Sequence, residues 1–221
     1  MTSARPKNRP VTLQPPAGHG GRPSLAESEQ ISARIIEAAK LLFLRDGFAQ
    51  TSMDAIAAEI GISKRTLYSR HPTKAALFEA MVIDVVKFSN SGIKTDDFAG
   101  KPLREQLLTL SERILAVLTS PIIISLERVV IGESRQFPQL ADLIYKHGGD
   151  KLHREVSDIL CSTGKGGDDL ARDVDIFLNI VILPPLRRAV LQFTAPGIEG
   201  VDRAVLERTI DIFVNGSGDR K

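Results

Sequence analysis

The feature that most constrains the fold is residues 51–74, TSMDAIAAEIGISKRTLYSRHPTK, which predict two short helices that meet at a tight turn. Ile56 belongs to the first helix and Leu67 to the second, and Gly61 lies between them, where glycine adopts a positive φ without steric cost. Ser63 is expected to cap the second helix with its hydroxyl. Two helices joined in this way form a helix-turn-helix unit, whose second helix enters the major groove of DNA.

The charge of the second helix favours the same interpretation. Residues 63–74 contain four basic side chains and no acidic one. The net charge of the whole chain is only +2, so positive charge is concentrated on this helix and on residues 1–24, which carry four basic groups and no acid. From the pattern alone, a surface helical hairpin with a solvated basic face remains the alternative.

The sequence around this unit carries a family resemblance. The matching positions are Ala38, Ala39, Phe43, Gly47, Phe48, Thr51, Ser52, Met53, Ile56, Ala57, Gly61, Ile62, Ser63, Thr66, Leu67, Tyr68, Lys74, Leu77 and Phe78. Over about residues 25–85 the chain closely resembles the DNA-binding domain of the TetR family of transcriptional regulators. Two positions depart from the family pattern: His71 replaces a residue that is usually aromatic or aliphatic, and Arg65 replaces one that is commonly small.

The helix-turn-helix geometry and the resemblance together predict which side chains contact DNA. Lys64 and Arg65 begin the second helix, whose N-terminal residues reach base edges, and either can donate to guanine O6 and N7. Backbone contacts implied by the resemblance fall on Thr51, Ser52, Tyr68, Arg70 and Lys74. The predicted set is completed by Ser63, by Thr66, and by Arg22 from the N-terminal arm.

Three regions follow one another along the chain, and the structured part is predicted to be all-α. Residues 1–24 are rich in proline and glycine and predict a disordered basic arm, which either follows the DNA or is a solvated tail without a role. Residues 25–90 predict the N-terminal three-helix helix-turn-helix domain. Residues 91–221 predict a larger C-terminal helical domain for ligand binding and dimerisation.

Local signals predict where several helices begin and end. Thr51 and Asp54 are expected to form the cap pair of the first helix of the unit. The glycine pair Gly148-Gly149 is expected to interrupt a helix in the second domain. The proline pair Pro184-Pro185 is expected to kink or split another, because proline lacks the N–H that the helix interior needs.

The last two helices predict a homodimer. Residues 176–183 are apolar almost all round, which indicates burial on more than one side. The resemblance implies a four-helix interface built from the last two helices of each chain, although both could instead be internal to a monomer. The predicted interface residues are Phe177, Ile180, Val181, Leu191 and Phe213.

A small-molecule effector is expected between the helices of residues 103–160, since ligand sites in helical domains are mostly apolar with a few polar groups. The predicted lining consists of Leu115, Ile122, Leu126, Glu127, Arg128, Val129, Phe137, Ile144, Tyr145 and His147. The alternative for each of these residues is an ordinary place in the core or on the surface. The chain has no tryptophan and few aromatic residues, which favours an apolar or amphipathic ligand over a cationic drug held in an aromatic cage.

Signals for catalysis, cofactors and metals are missing. No pair of histidines has the i, i+4 spacing of a helical metal site, and nucleophile-elbow and nucleotide-binding motifs are absent. The single cysteine, Cys161, excludes an internal disulfide and fits the cytosol, as a free thiol or a redox sensor. No apolar run is long enough to span a membrane.

The sequence therefore predicts a cytoplasmic, homodimeric, sequence-specific regulator of transcription that is not an enzyme. Its partners are expected to be a palindromic double-stranded DNA operator and a small effector, and the resemblance favours a repressor that the effector releases. The alternative is a helical ligand-binding or scaffold protein with a vestigial helix-turn-helix.

Overall fold

The computed structural model describes residues 25–89, 100–162 and 167–217, so Arg22 and the predicted basic arm lie outside the described residues. Within those ranges every regular element is helical, which confirms the predicted all-α fold. The α-helices are α1 (Leu25–Asp46), α2 (Met53–Glu59), α3 (Lys64–Arg70), α4 (Lys74–Ser89), α5 (Leu103–Leu118), α6 (Pro121–Glu133), α7 (Gln139–Ile144), α8 (Asp150–Cys161), α9 (Gly167–Phe177), α10 (Leu183–Val190) and α11 (Arg203–Ser217). Other helical geometries occur in the π-helical segments Tyr145–Gly149 and Leu178–Ile182 and in the 3₁₀ turn Ile198–Gly200.

The turn between α2 and α3 forms as the sequence predicts. Gly61 has a φ of 67°, in the left-handed region that glycine tolerates best. The Ser63 hydroxyl accepts a hydrogen bond from the backbone N–H of Thr66 at 3.0 Å, which confirms the predicted cap. Leu67 is fully buried and fixes α3 against the other helices.

The cap of α2 differs from the predicted pair of Thr51 and Asp54. The Ser52 hydroxyl, one residue further along, accepts the hydrogen bond from the backbone N–H of Ala55 at 3.0 Å. Thr51 is buried, and its hydroxyl donates to the carbonyl oxygen of Gly47 at 2.7 Å. Thr51 therefore stabilises the end of α1, and Ser52 begins α2.

A sharp bend separates α5 from α6. Pro121 occupies the first turn of α6, where its missing N–H has no consequence, and the two helices meet at 69°. Among the described residues no single helix is long and apolar enough to cross a membrane, and only this bent pair, taken together, meets the length and composition criteria. The bend directs α6 toward the N-terminal helices, where Leu126 and Val130 join their core.

The glycine pair Gly148-Gly149 does not interrupt the helix, contrary to the prediction. Gly149 has a φ of −60° and a ψ of −49°, which are right-handed helical angles, and the chain passes from α7 through the π-helical segment into α8. A Cβ added at Gly149 would lie 2.9 Å from a ring carbon of Tyr145. This glycine therefore allows the Tyr145 ring to pack closely against the helix.

The chain also stays helical through Pro184-Pro185, and the predicted kink or split takes the form of a π-helical segment just before the prolines. α9 ends at Phe177, the π-helical segment follows, and α10 begins at Leu183 with the prolines in its first turn. Proline is tolerated there because the first N–H groups of a helix have no partner within it.

Two hydrophobic clusters form the interior. The first contains Phe43, Phe48 and Phe78 of the N-terminal helices and continues into α6 and α7. The second joins α5, α8, α9 and α11 and includes Phe177. Because α6 contributes to the first cluster, movement of α6 affects the packing of the N-terminal helices directly.

Candidate nucleic-acid interface and interior cavity

The side chains at the N-terminal end of α3 lie on its solvent-exposed face. Burial of Leu67 points Lys64, Arg65 and Tyr68 to the exposed side of the helix. Within the described part of the chain Arg65 has no hydrogen-bonding or ion-pair partner, so its guanidinium is available for an external acceptor. Thr66 is half-buried, and its hydroxyl lies 2.8 Å from that of Ser63.

Lys64 has an acidic neighbour on the preceding helix. Its Nζ lies 2.5 Å from Oδ2 of Asp54, and both side chains are exposed. The hydrogen bond to this carboxylate raises the pKa of Lys64. A phosphate or a base edge must displace Asp54 to receive Lys64, whereas Arg65 needs no such exchange.

Lys74 has its partners inside the protein. Its ammonium donates to the carbonyl oxygens of Phe48 at 2.7 Å, Ala49 at 3.2 Å and Thr51 at 3.0 Å, and Nζ lies 4.5 Å from the centroid of the Phe48 ring. Burial lowers the pKa of Lys74, although the charge of Glu133 opposes this. Since an ammonium has three donors, this set of bonds uses all of them on the loop between α1 and α2.

Arg70 is likewise directed inward. Its guanidinium donates to the hydroxyl of Ser32 at 2.7 Å and to the hydroxyl and carbonyl oxygens of Ser28 at 3.0 and 3.2 Å. These bonds join the end of α3 to α1. The predicted DNA-contact set therefore divides into an outward group with Ser52, Lys64, Arg65 and Tyr68, and an inward group with Thr51, Arg70 and Lys74.

A cavity of about 450 Å³ lies where α5, α6, the α7–α8 region and α10 meet below α4. This volume falls within the range of about 300–1,000 Å³ that is typical of small-molecule sites. The lining residues are Val86, Ile114, Val117, Leu118, Ile123, Glu127, Val130, Ile131, Ser134, Ala141, Ile144, Tyr145, Gly148, Gly149, Lys151, Leu152, Leu183 and Leu186.

Three of the predicted lining residues, Glu127, Ile144 and Tyr145, lie on the cavity wall. The others have different positions. Leu126 lies in the first cluster, and Ile122, Val129 and Phe137 pack against it. Leu115 belongs to the second cluster. Arg128 donates to the carbonyl oxygens of Val190 and Ala189 at the end of α10, and His147 pairs with Glu79.

Sequence reasoning missed most of the wall because it comes from segments far apart in the chain. Val86 of α4 and Leu186 of α10 face the same space. The helical spacing of Ile114, Val117 and Leu118 on α5 was a usable signal, but it does not distinguish a cavity wall from a solid core.

The cavity contains an acidic and a basic side chain with different surroundings. Glu127 is half-buried and has no polar partner among the described residues, and burial raises the pKa of its carboxyl. Lys151 has a partner, since its Nζ lies 3.4 Å from Oε1 of Glu155 on the next turn of α8. The rest of the wall is mainly aliphatic.

Polar contacts connect the cavity walls to the N-terminal helices at two places. On α6, the Glu133 carboxylate accepts a hydrogen bond from the backbone N–H of Ala49 at 2.9 Å. On the π-helical segment, Nε2 of His147 lies 3.1 Å from Oε1 of Glu79 on α4, and this contact lowers the pKa of Glu79. These contacts join the cavity walls to the loop before α2 and to α4, the helix after α3.

Gly47 leaves the space that the carboxylate of Glu133 occupies. It has a φ of 88°, and a Cβ at this position would lie 2.9 Å from Oε1 of Glu133. A glycine both ends α1 and leaves room for the carboxylate of α6.

The predicted dimer residues fall into two groups. The side chains of Phe177, Val181 and Phe213 are at most 4 % exposed and lie in the second hydrophobic cluster of the protomer. Ile180 and Leu191 are 38 % and 50 % exposed. Exposed apolar residues in the last part of the chain that lie outside the predicted set are Ile176, Leu183, Phe193, Val205 and Ile212. The spacing of Ile176, Ile180 and Leu183 was the available signal, since it places them on one helical face.

Within residues 25–89, 100–162 and 167–217, no group of three or more histidine, cysteine, aspartate or glutamate side chains comes together in a way that could hold a metal ion. Cys161 is exposed and is a free thiol.

Comparison with protein families gives two adjoining matches. Residues 35–81 match the family described as bacterial regulatory proteins, tetR family. Residues 105–215 match the C-terminal domain described as AefR-like transcriptional repressor. Together they cover the helix-turn-helix region and most of the second domain.

One relative found by sequence similarity is also named as a regulator. The uncharacterized HTH-type transcriptional regulator YerO of Bacillus subtilis (strain 168) is 29% identical over 157 residues, which are 67% of this chain and 52% of YerO. The match therefore spans about half the length of this relative.

Solved structures share the arrangement of helices. The flavonoid-responsive regulator FrrA has a TM-score of 0.71 and 26% identity over 86% of this chain and 95% of its own. A TetR family regulator from Pseudomonas syringae pv. tomato str. DC3000 has a TM-score of 0.66 and 25% identity over 85% of this chain and 97% of its own. The regulator FadR from Bacillus subtilis, solved with stearoyl-CoA, has a TM-score of 0.61 at 17% identity over 84% of this chain and 98% of its own, and shows the same fold.

Proposed function

Because the chain belongs to the TetR family of transcriptional regulators, we propose that it is a homodimeric, cytoplasmic repressor that binds a palindromic DNA operator and releases it when a small molecule enters the cavity. The observation that carries the proposal is the exposed N-terminal end of α3, where Arg65 has no partner among the described residues. The family is one of regulators rather than enzymes.

Reading of base sequence is assigned to Lys64 and Arg65. Both are exposed at the start of α3, the part of a recognition helix that reaches base edges. A guanidinium can donate two parallel hydrogen bonds to guanine O6 and N7. Tyr68 and Ser52 also lie on the outward side, where phosphate contacts position the helix.

Dimerisation is assigned to the exposed apolar face of the last helices. Ile180, which precedes α10, and Val205 on α11 line the same surface depression, and both are apolar side chains exposed to water in the monomer. A two-fold dimer formed there would present two copies of α3 about 34–36 Å apart, one turn of DNA, which is the reason for a palindromic site.

Release by an effector is assigned to the contacts that leave the cavity walls. Glu133 bonds the loop before α2, and His147 bonds α4. A ligand that binds better when these walls are displaced would shift the dimer to a spacing that fits DNA poorly. FrrA, which is described as flavonoid-responsive, supports a small-molecule effector in a fold of this kind.

Sequence-specific binding is the direct test. Fluorescence anisotropy would compare DNA from upstream of the protein's own gene with shuffled DNA at physiological salt, and specific sites are expected to bind about 10³–10⁷ times tighter. Arg65→Ala should cost about 1–3 kcal/mol on the operator and relax its sequence preference. Arg154→Ala, which removes the same charge from the exposed face of α8, is the matched control and should bind like the wild type.

Equal affinity for the operator and shuffled DNA would contradict the proposal. It would favour a helical ligand-binding or scaffold protein whose helix-turn-helix is vestigial.

A further inference from the structure

The cavity contains a carboxyl group whose surroundings are unusual for a folded interior. Glu127 of α6 faces a mainly aliphatic wall that includes Ile114, Ile123 and Leu186. Among the described residues it has no hydrogen bond and no ion pair. Lys151, the basic residue of the same wall, has its counter-charge in Glu155 at 3.4 Å.

A carboxylate in this position does not help the protein to fold. Removing an ionised group from water without a partner is costly, and an apolar residue would pack against aliphatic neighbours better. The raised pKa of Glu127 has the same cause, since burial disfavours the charged form. Glu127 is half-buried, and a partner that enters the cavity from outside can restore the stabilisation that burial removes.

The chemistry of that partner follows from the charge of Glu127. A cation with N–H donors both neutralises the carboxylate and gives it a charge-assisted hydrogen bond. An alcohol gives a hydrogen bond but no counter-charge, and an anion is repelled. Tyr145 is the one aromatic residue on the described wall, which disfavours recognition by an aromatic cage.

Building on the proposed function, we propose that Glu127 selects effectors that carry a protonated primary or secondary amine on an apolar body. The aliphatic wall holds the body of such a ligand, and Glu127 accepts a hydrogen bond from its ammonium group. Glu127 lies six residues before Glu133 on α6, a distance of about 9 Å along a helix. The same helix therefore joins the ammonium site to the loop before α2.

Calorimetry with three probes that share one alkyl chain tests this selection. The probes are decylamine, 1-decanol and decanoate, used below their micelle-forming concentrations with the full-length protein. The wild type is expected to bind decylamine at least about tenfold tighter than 1-decanol, and decanoate weakest of the three, since 1.4 kcal/mol corresponds to a factor of ten. Glu127→Gln, which keeps the shape and removes the charge, should lose this preference and keep its affinity for 1-decanol.

A second variant distinguishes loss of the charge at position 127 from a general disturbance of the fold. Glu127→Asp keeps the charge on a shorter side chain and should retain the preference for the amine. A wild type that binds all three probes alike, or a Glu127→Gln protein with the wild-type preference for decylamine, would overturn the inference.

DNA binding measured on the same samples separates this inference from the proposed function. Decylamine should release operator DNA from the wild type and leave it bound to Glu127→Gln. Specific DNA binding without any preference for the amine would refute the role of Glu127 and leave the regulator intact. Preference for the amine without specific DNA binding would refute the regulator and leave the role of Glu127 standing.

Discussion

Replacing Lys74 with methionine tests whether this side chain stabilises the loop before α2 or contacts a DNA phosphate. Methionine keeps an unbranched chain near the Phe48 ring and removes the ammonium that bonds three loop carbonyl groups at 2.7–3.2 Å. Hydrogen bonds to a charged group contribute about 1.5–3 kcal/mol each. Lys74 is only half-buried, and the lowered pKa shows that its charged form loses hydration, so the expected total for Lys74→Met is about 2–4 kcal/mol of destabilisation.

Urea unfolding and the salt dependence of DNA binding give the two readouts. With a slope of about 2 kcal/mol per molar urea, the unfolding midpoint of Lys74→Met should fall by roughly 1–2 M. The slope of log affinity against log salt should not change, because a donor already used inside the protein releases no counter-ion. Lys64→Met is the control, since Lys64 is exposed and is proposed to read bases: its midpoint should stay close to the wild type, and its affinity for the operator should decrease.

The opposite pattern would refute this reasoning. If Lys74→Met unfolds at the wild-type midpoint and its salt slope decreases by about 0.9 per subunit, then Lys74 leaves the loop and binds phosphate in the complex. The phosphate contact implied by the family resemblance would then stand.

Four further predictions concern the dimer, the domain contact, the coupling and the response to pH. Ile180→Asp should convert the dimer to a helical monomer that binds the operator weakly, as measured by sedimentation and anisotropy, because a charge replaces exposed apolar surface. Gly47→Ala should lower stability by about 1–2 kcal/mol in thermal unfolding, because its backbone is left-handed and its Cβ would approach Glu133. Glu133→Ala should keep operator and ligand affinity but weaken the release of DNA by ligand in a competition assay. Burial lowers the pKa of His71 from 6.5. The stability that the neutral imidazole contributes is therefore present above pH 6.5 and is lost as the pH falls through the lowered pKa. Between pH 7.5 and 5, the urea midpoint of His71→Leu should decline less than that of the wild type.

Three outcomes would contradict the predictions for the dimer, the coupling and the response to pH. A dimeric Ile180→Asp protein would place the interface elsewhere, and unchanged ligand release in Glu133→Ala would exclude α6 as the coupling route. Equal pH dependence in the wild type and His71→Leu would mean that other groups control acid sensitivity.

Local signals predicted the helices well because caps and turns depend on a few neighbouring residues. Gly61 and Ser63 end one helix and begin the next through bonds that span three residues, and the proline pair at 184–185 lies in the first turn of α10, just after a π-helical segment. The same reasoning failed at Gly148-Gly149, because glycine only permits a turn. There the close packing of Tyr145 and the continuing helix decided the conformation.

The sequence by itself determined the all-α fold, the helix-turn-helix and the family, because those depend on residue order and spacing. It could not separate Arg65 from Arg70, or Lys64 from Lys74, since the carbonyl and hydroxyl groups that hold Arg70 and Lys74 lie more than 20 residues away. Only the tertiary structure decided which apolar residues surround a cavity, which fill the core and which remain exposed. The physical reason is that a side chain's role depends on what packs against it, and those neighbours come from helices that are distant in the chain.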